Sequence, residues 1–167
     1  LGVTPVLLST RPPPAGLVAH AWSSEAINRT TYLASTNPFR LLAILPRLPW
    51  RDLIREARRS GLGFVKDVLI SAPAAQKLAR KCTQSGVSHV HVHSCARAAL
   101  IGALAARSYG LSYSLSLHGP LSDYGSGQRF KWRHAKFVSV ITRHLLSLIV
   151  GSDDPKSKHT FFAYHIS

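Results

Sequence analysis

Short apolar runs alternate along this chain with longer stretches of helical pattern, and this alternation constrains the fold more than any other feature. It is typical of βαβ units, in which a helix crosses between two parallel strands in a right-handed sense. We therefore predict an α/β fold, a doubly wound parallel sheet of Rossmann-like type with helices on both faces. The predicted strands are residues 3–9, 31–34, 87–93, 112–117 and 137–141, with a last short strand at 161–166.

One of the predicted helices is apolar on nearly every side. It covers residues 96–108 and stops at Gly110, with Arg97 and Arg107 near its ends. A glycine just past the last helical residue is a common stop signal, and a helix that is apolar all round is buried. This segment is therefore expected to be a buried crossover helix between two neighbouring strands.

A basic amphipathic helix is predicted where Pro46 and Pro49 mark a start. Apolar residues recur at steps of three and four, and arginines form an opposite stripe. Such a face suits an anionic membrane surface, while an ordinary surface helix is an equally open interpretation. The apolar positions are Trp50, Leu53, Ile54 and Ala57, and the predicted membrane-facing residues are Arg47, Trp50, Arg51, Arg55 and Arg58.

Length and composition limit the number of domains and the compartment. The chain has 167 residues, of which 46% are apolar, which is enough for one domain with one core. It starts at Leu1 and contains no Met, which predicts a fragment of a longer protein. Its longest uncharged apolar run, residues 98–106, is far shorter than the ~20 residues of a membrane-spanning helix. The only cysteines, Cys82 and Cys95, are widely spaced, which suits a reducing cytoplasm.

The formal net charge of +14 favours anionic partners such as phosphates, lipid headgroups or nucleic acid. Nucleic acid is the weakest of these, because no recognised binding motif accompanies the arginines and they are not interleaved with aromatic residues.

The candidate site residues follow from the predicted sheet, since ligands of an open parallel sheet bind beyond the carboxyl ends of its strands. His118 directly follows the strand at 112–117, where an imidazole can hydrogen-bond a sugar hydroxyl or a phosphate oxygen. Gly119 would let a ligand approach the backbone closely. In the alternative interpretation, His118 only caps a loop carbonyl. The other strand-end candidates are Ser9, Thr10, His93, Ser94, Thr142 and Arg143.

Three histidines, His89, His91 and His93, alternate along one predicted strand and therefore share a face. Imidazoles in this spacing can bind zinc, so a zinc hydrolase using His91 and His93 is one hypothesis. The chain has few carboxylates to complete or support such a centre. The opposing interpretation, which we prefer, has His89 and His91 hydrogen-bonded inside the core of a buried strand, with no metal site.

The order of segments between residues 87 and 149 resembles a known family. A His-rich strand ending at His93 is followed by an Ala-rich helix, by the strand and loop GLSYSLSLHGP, and by HAKFVSVIT with a helix after it. This order resembles the amino-terminal, acceptor-side domain of family 4 retaining glycosyltransferases of the GT-B type. The upstream segments STRPPPAGLVAHAW and TTYLAS are similar to the colanic acid and exopolysaccharide branch.

The resemblance implies one half of a two-domain sugar transferase that acts with retention and without a required metal or cofactor. The donor would be a nucleotide-sugar and the acceptor a glycan or a lipid-linked sugar. His118 matches the family's active-site histidine, which is expected to contact the transferred sugar or the donor phosphate as charge develops on the leaving group. The substrate-binding positions would be Gly119, His93, Ser94, Asp123, Thr142 and Arg143.

Two departures from the family pattern shape the remaining expectations. A first strand and its Gly-rich loop would precede Leu1, and the paired-glutamate donor motif is missing, since Glu25 and Glu56 are the only glutamates. We expect one domain over residues 1–167, truncated at both ends and inactive alone, with the nucleotide bound mainly by a carboxy-terminal domain that is missing here. The expected location is cytoplasmic and peripheral at the plasma membrane. The alternative is a non-catalytic basic module that binds membrane or nucleic acid.

Overall fold

The computed structural model describes residues 4–14, 16, 20–34, 38–145 and 160–163. These residues form an α/β fold with parallel strand pairing throughout, so the predicted fold class is confirmed. A small sheet pairs Leu8–Ser9 (β1) with Thr31–Tyr32 (β2). The larger sheet has the order β3-β4-β5-β6 and consists of His89–Val92 (β3), Ser112–Leu117 (β4), Phe137–Val140 (β5) and Thr160–Ala163 (β6).

The helices lie between these strands. They are Ser23–Arg29 (α1), Pro38–Ile44 (α2), Trp50–Ser60 (α3), Leu62–Gln84 (α4), Arg97–Tyr109 (α5) and Gln128–Trp132 (α6). Residues 143–145, after the last strand residue Val140, are also helical. Two short 3-10 helices, Leu45–Arg47 and Leu121–Tyr124, precede α3 and α6 respectively.

Strand β4 has the predicted bounds, whereas β1, β2, β3 and β5 are shorter than predicted within the described residues. Residues 4–7 have no strand assignment, so β1 contains only two residues. A strand ends where its hydrogen-bonded neighbour ends. The apolar pattern of one segment does not show how long that neighbour is. The last predicted strand is observed as Thr160–Ala163. Residue 3 of the first predicted strand and residues 164–166 of the last lie outside the described part of the chain.

Helix α5 lies against the larger sheet, and its small residues allow a close approach. It begins one residue later than predicted and ends at Gly110, whose φ of +75° is left-handed and whose N–H donates to the Ala106 carbonyl at 2.8 Å. A Cβ atom added at Gly102 would lie 3.3 Å from a methyl carbon of Val92 and 3.6 Å from a ring carbon of Tyr113. The alanines and the glycine therefore bring α5 onto β3 and β4.

The long helix α4 contributes much of the remaining core. It packs against α2, α3 and α5 and buries Phe64, Val68, Ala72 and Leu78. Pro73 lies inside this helix and is itself buried. Burial of this apolar face offsets the hydrogen bond that a proline removes from a helix interior.

The two faces of the larger sheet differ in character. Tyr113, Leu115 and Leu117 of β4 are buried on the side of α5. Because side chains alternate along a strand, the serines of β4 point to the opposite face, where His89 and His91 of β3 are exposed. The expectation that these two histidines lie inside the core is therefore wrong, since no described helix covers them.

The two sheets do not pair with each other in the described part of the chain. The edge of β1 and the edge of β3 instead line one cavity of about 860 Å³. The cavity extends along residues 4–10 on one side and residues 85–94 on the other. It therefore lies between the unpaired edge of β1 and the unpaired edge of β3.

Candidate functional site

A ladder of hydrogen bonds between histidines and serines covers the open face of the larger sheet. The parallel register aligns His89 with Ser112 and His91 with Ser114. His89 bonds to Ser112 through Nδ1 and to Ser114 through Nε2, both at 2.8 Å. His91 bonds to Ser114 through Nδ1 at 2.7 Å and to Ser116 through Nε2 at 2.9 Å. Each imidazole therefore bridges two serines that are two residues apart on β4.

The far end of the ladder determines which ring nitrogens carry hydrogen. The Ser139 hydroxyl donates to the Leu115 carbonyl at 3.3 Å and must therefore accept from Ser116, 2.7 Å away. Ser116 then accepts from Nε2 of His91, and in a neutral ring the other nitrogen, Nδ1, accepts from Ser114. Each hydroxyl supplies one hydrogen, so the same reasoning applied at Ser114 puts the hydrogen of His89 on Nε2. The complete ladder thus fits neutral histidines.

The surroundings of His91 favour the same neutral form. Its pKa is lowered first by the partial burial of the ring and then by the neighbouring His93, His89 and His118. Phe137 of β5 stacks at 6.0 Å from the His91 ring. A charged imidazole here would lose hydration and meet other histidines, so the site disfavours protonation.

Beyond the ladder, the carboxyl edge of the sheet brings two of the predicted site residues together. The ring of His93 contacts His91 edge-on at 4.7 Å and stacks on His118 at 6.3 Å. His93 and His118 are both exposed. These two histidines, the edge pair, therefore present imidazole groups to solvent at the strand ends, as predicted for ligand contact.

The loop after β4 is held by a residue that sequence reasoning missed. The backbone N–H of His118 donates to the Tyr124 hydroxyl at 3.0 Å. A Cβ atom on Gly119 would lie 3.4 Å from Asp123 Oδ2 and 3.6 Å from that hydroxyl, so Gly119 and Asp123 lie together in this loop. Nothing in the local pattern distinguishes Tyr124 from other surface tyrosines, because its partner is a backbone group.

The other predicted site residues have local contacts. Ser94 Oγ accepts from the N–H of Ala96 at 3.1 Å, which fixes the turn into α5. Thr142 Oγ1 accepts from the N–H of Leu145 at 3.1 Å, as a helix-capping residue does. Thr142 and Arg143 are exposed just past Val140, which pairs with Leu117. They therefore lie at the same edge as His118.

Within the described residues, no three or more His, Cys, Asp and Glu side chains come together in a way that could hold a metal ion. The zinc hydrolase hypothesis therefore gains no support from the arrangement of His91 and His93.

The predicted basic helix is observed as α3, with a different buried side. Leu53 and Glu56 are buried, whereas Ile54 is 50% exposed and Trp50 47% exposed. The predicted apolar stripe is thus divided between the core and the surface, because the position of α4 and α6 decides which side is covered. Arg51, Arg55 and Arg58 are exposed, as is Arg47, which lies in the preceding 3-10 helix instead of in α3.

The indole of Trp50 donates to the Leu45 carbonyl at 3.0 Å, which orients the ring beside these arginines. In the described part of the chain, the helices are too short or too polar to cross a membrane.

Comparison of the chain with family models, with characterised proteins and with solved structures finds no match. The roles of the edge pair and of the surrounding residues are therefore inferred from the chemistry and the arrangement of these side chains alone.

Proposed function

We propose that this chain is the acceptor-side half of a retaining GT-B glycosyltransferase that builds a lipid-linked or exported polysaccharide. The observation that carries the proposal is the exposed edge pair, His93 and His118, at the carboxyl ends of two adjacent parallel strands. Open parallel sheets bind their ligands at this edge. An imidazole ring has two nitrogens that can take part in hydrogen bonds, which suits sugar hydroxyls.

His118 is the proposed catalytic residue. In this proposal its imidazole contacts the transferred sugar or the donor phosphate, where negative charge develops on the leaving group. The Tyr124 hydroxyl accepts from the His118 backbone N–H, and Gly119 lies next to Asp123 and Tyr124 in the same loop. Asp123, Ser94, Thr142 and Arg143 are proposed to contact the acceptor from the same edge.

The cavity between β1 and β3 is compatible with this assignment. A strand in that space would join the two sheets into one, which is the layout that the resemblance implies. Five extended residues span roughly 17 Å, and strands are spaced about 4.8 Å apart. A cavity of about 860 Å³ has room for a segment of that size.

Membrane attachment through α3 is part of the proposal, because a lipid-linked acceptor lies at a bilayer. Arg51, Arg55 and Arg58 are exposed beside Trp50 and Ile54, which gives cationic and apolar groups on one helix. The same observation favours a second candidate function, a non-catalytic module that binds anionic membranes. Sugar binding at the edge pair distinguishes the two functions.

Saturation-transfer NMR with a panel of monosaccharides and alkyl glycosides tests the sugar site. We expect transfer to sugar-ring protons that is strongly reduced by His118→Ala. The matched control is His20→Ala, which removes an exposed histidine that stacks on Trp22. Equal transfer in all three proteins, or none in any, would contradict the proposal. We further expect the chain by itself not to turn over nucleotide-sugars, and measurable turnover would refute that expectation.

Sedimentation with anionic vesicles tests the membrane surface. The double variant Arg51→Glu, Arg55→Glu reverses two exposed charges of α3 and is expected to abolish most of the binding at low salt. The control variant Arg80→Glu, Lys136→Glu changes the same net charge at exposed positions outside α3. Equal loss in both variants would mean that only total charge matters and that α3 is not a specific surface.

A further inference from the structure

We propose that a second site, built from Arg11, Arg97 and Lys131, binds a phosphate group. These side chains line one cavity of about 410 Å³, together with Thr10, Asp67, Ala96, Leu100 and Tyr124. The site differs from the edge pair, which is absent from this lining. It goes beyond the proposed sugar transfer and does not depend on it.

The three cations come from separate parts of the chain. Arg11 follows β1, and its backbone carbonyl accepts from the Ser9 hydroxyl at 2.8 Å, which shapes that turn. Arg97 is the first residue of α5, and Lys131 belongs to α6. The cavity thus lies where a strand ends and a helix begins. Backbone N–H groups and the helix dipole favour an anion at such a place.

The charges that line the cavity are unbalanced. Asp67 is the one carboxylate among the lining residues, against three cations. Its Oδ1 lies 3.8 Å from the Arg97 guanidinium, and both side chains are more than a third exposed. An ion pair of this kind is weak and screened by solvent. The lining therefore keeps positive charge that a phosphate would neutralise.

Lys131 is the strongest indication of a ligand, because its side chain is only 3% exposed. One of its hydrogens goes to the Tyr124 carbonyl at 2.7 Å. Burial is the main cause that lowers its pKa, while Cys95, Asp67 and Glu56 act in the opposite direction. A buried ammonium group is costly unless an anion compensates it. A phosphate group in the cavity would provide that compensation and accept charge-assisted hydrogen bonds from all three cations.

Tyr124 connects this cavity with the edge of the sheet. Its carbonyl accepts from Lys131, and its hydroxyl accepts from the backbone N–H of His118. Tyr124 therefore contacts residues of both places, Lys131 through its carbonyl and His118 through its hydroxyl. The ligand of the phosphate site would be a phosphate or pyrophosphate ester, either free in solution or in a lipid headgroup.

Titration with inorganic phosphate, at constant ionic strength set with chloride, tests the site by amide NMR shifts. We expect saturable shifts at residues 10–11, 96–100 and 131. The variants Arg11→Gln and Arg97→Gln should each weaken binding by about tenfold or more, the loss expected for one charge-assisted hydrogen bond. Arg11 and Arg97 lie outside the buried core, so these variants should fold normally. Lys131 is buried, so Lys131→Gln is used only if its NMR spectrum shows a folded protein.

The matched control is Arg58→Gln, which removes an exposed arginine of α3 outside the cavity. It should leave phosphate affinity unchanged. Absence of saturable binding to the wild-type chain, or an equal loss in Arg58→Gln and Arg97→Gln, would overturn the site.

A second arm uses vesicles with and without phosphatidic acid. Loss of both phosphate and vesicle binding in the double variant Arg11→Gln, Arg97→Gln supports a site for a lipid headgroup. Loss of phosphate binding with vesicle binding retained supports a site for a soluble phosphate ester.

Discussion

The two faces of the larger sheet are built from the same strands and have opposite chemistry. Toward α5, Leu115 and Val138 are completely buried in an apolar core. On the other face, His89 and His91 are exposed and form hydrogen bonds with Ser114. Alternation along β4, with the sequence SYSLSL, separates these environments within one strand. One face of a sheet can therefore stabilise the fold by apolar burial, while the opposite face presents titratable groups.

The largest expected effect is on the apolar face. Leu115→Ala should lower the free energy of unfolding by about 2–5 kcal/mol, because it removes a side chain that is 0% exposed and leaves a cavity. Urea denaturation measures the change. Leu42→Ala is the control, since Leu42 is 62% exposed and should change stability by less than about 0.5 kcal/mol. Similar losses in both variants would contradict the assignment of the core.

A smaller effect is expected on the polar face. Ser114→Ala removes a buried hydroxyl that bonds to both His89 and His91, and should cost about 1–3 kcal/mol. Ser112→Ala removes a half-buried hydroxyl that bonds to His89, and should cost about 0.5–1.5 kcal/mol. If denaturation gives the reverse order, the ladder does not stabilise this face.

The smallest effect is a dependence on pH. Because the pKa of His91 is lowered in the folded chain, the unfolded chain binds more protons as pH falls below the ordinary value near 6.5. The neutral His91 ring therefore contributes to stability above that pH, and this contribution is lost as pH falls toward the lowered pKa of His91. His91→Gln should therefore reduce the loss of stability as pH falls below about 6.5, compared with His20→Gln.

Nitrogen-15 NMR of the histidine rings tests the assignment of hydrogens along the ladder. At neutral pH we expect nitrogen-15 shifts of His91 that correspond to hydrogen on Nε2, since Nδ1 accepts from Ser114. Hydrogen on Nδ1 would require the Ser114 hydroxyl to turn around, and would show that the ladder runs in the opposite direction.

Local signals predicted much of the framework. The bounds of β4 and the end of α5 at Gly110 follow from strand alternation and from a left-handed glycine, which act within a few residues. The position of His118 after β4 also follows from order along the chain. The hydrogen bonds of His89 and His91, expected for histidines of a buried strand, are observed, but on an exposed face instead of in the core.

Contacts between distant segments could not be predicted in this way. Ile54 is exposed and Glu56 buried because of the helices packed against α3, and Tyr124 reaches His118 across a loop. The sequence by itself determined which segments become parallel strands and helices, since periodicity and stop signals are local. Only the tertiary structure decided that His89 meets Ser112 and Ser114, and that Lys131 is buried beside Arg97, because pairing register and burial depend on residues far apart in the chain.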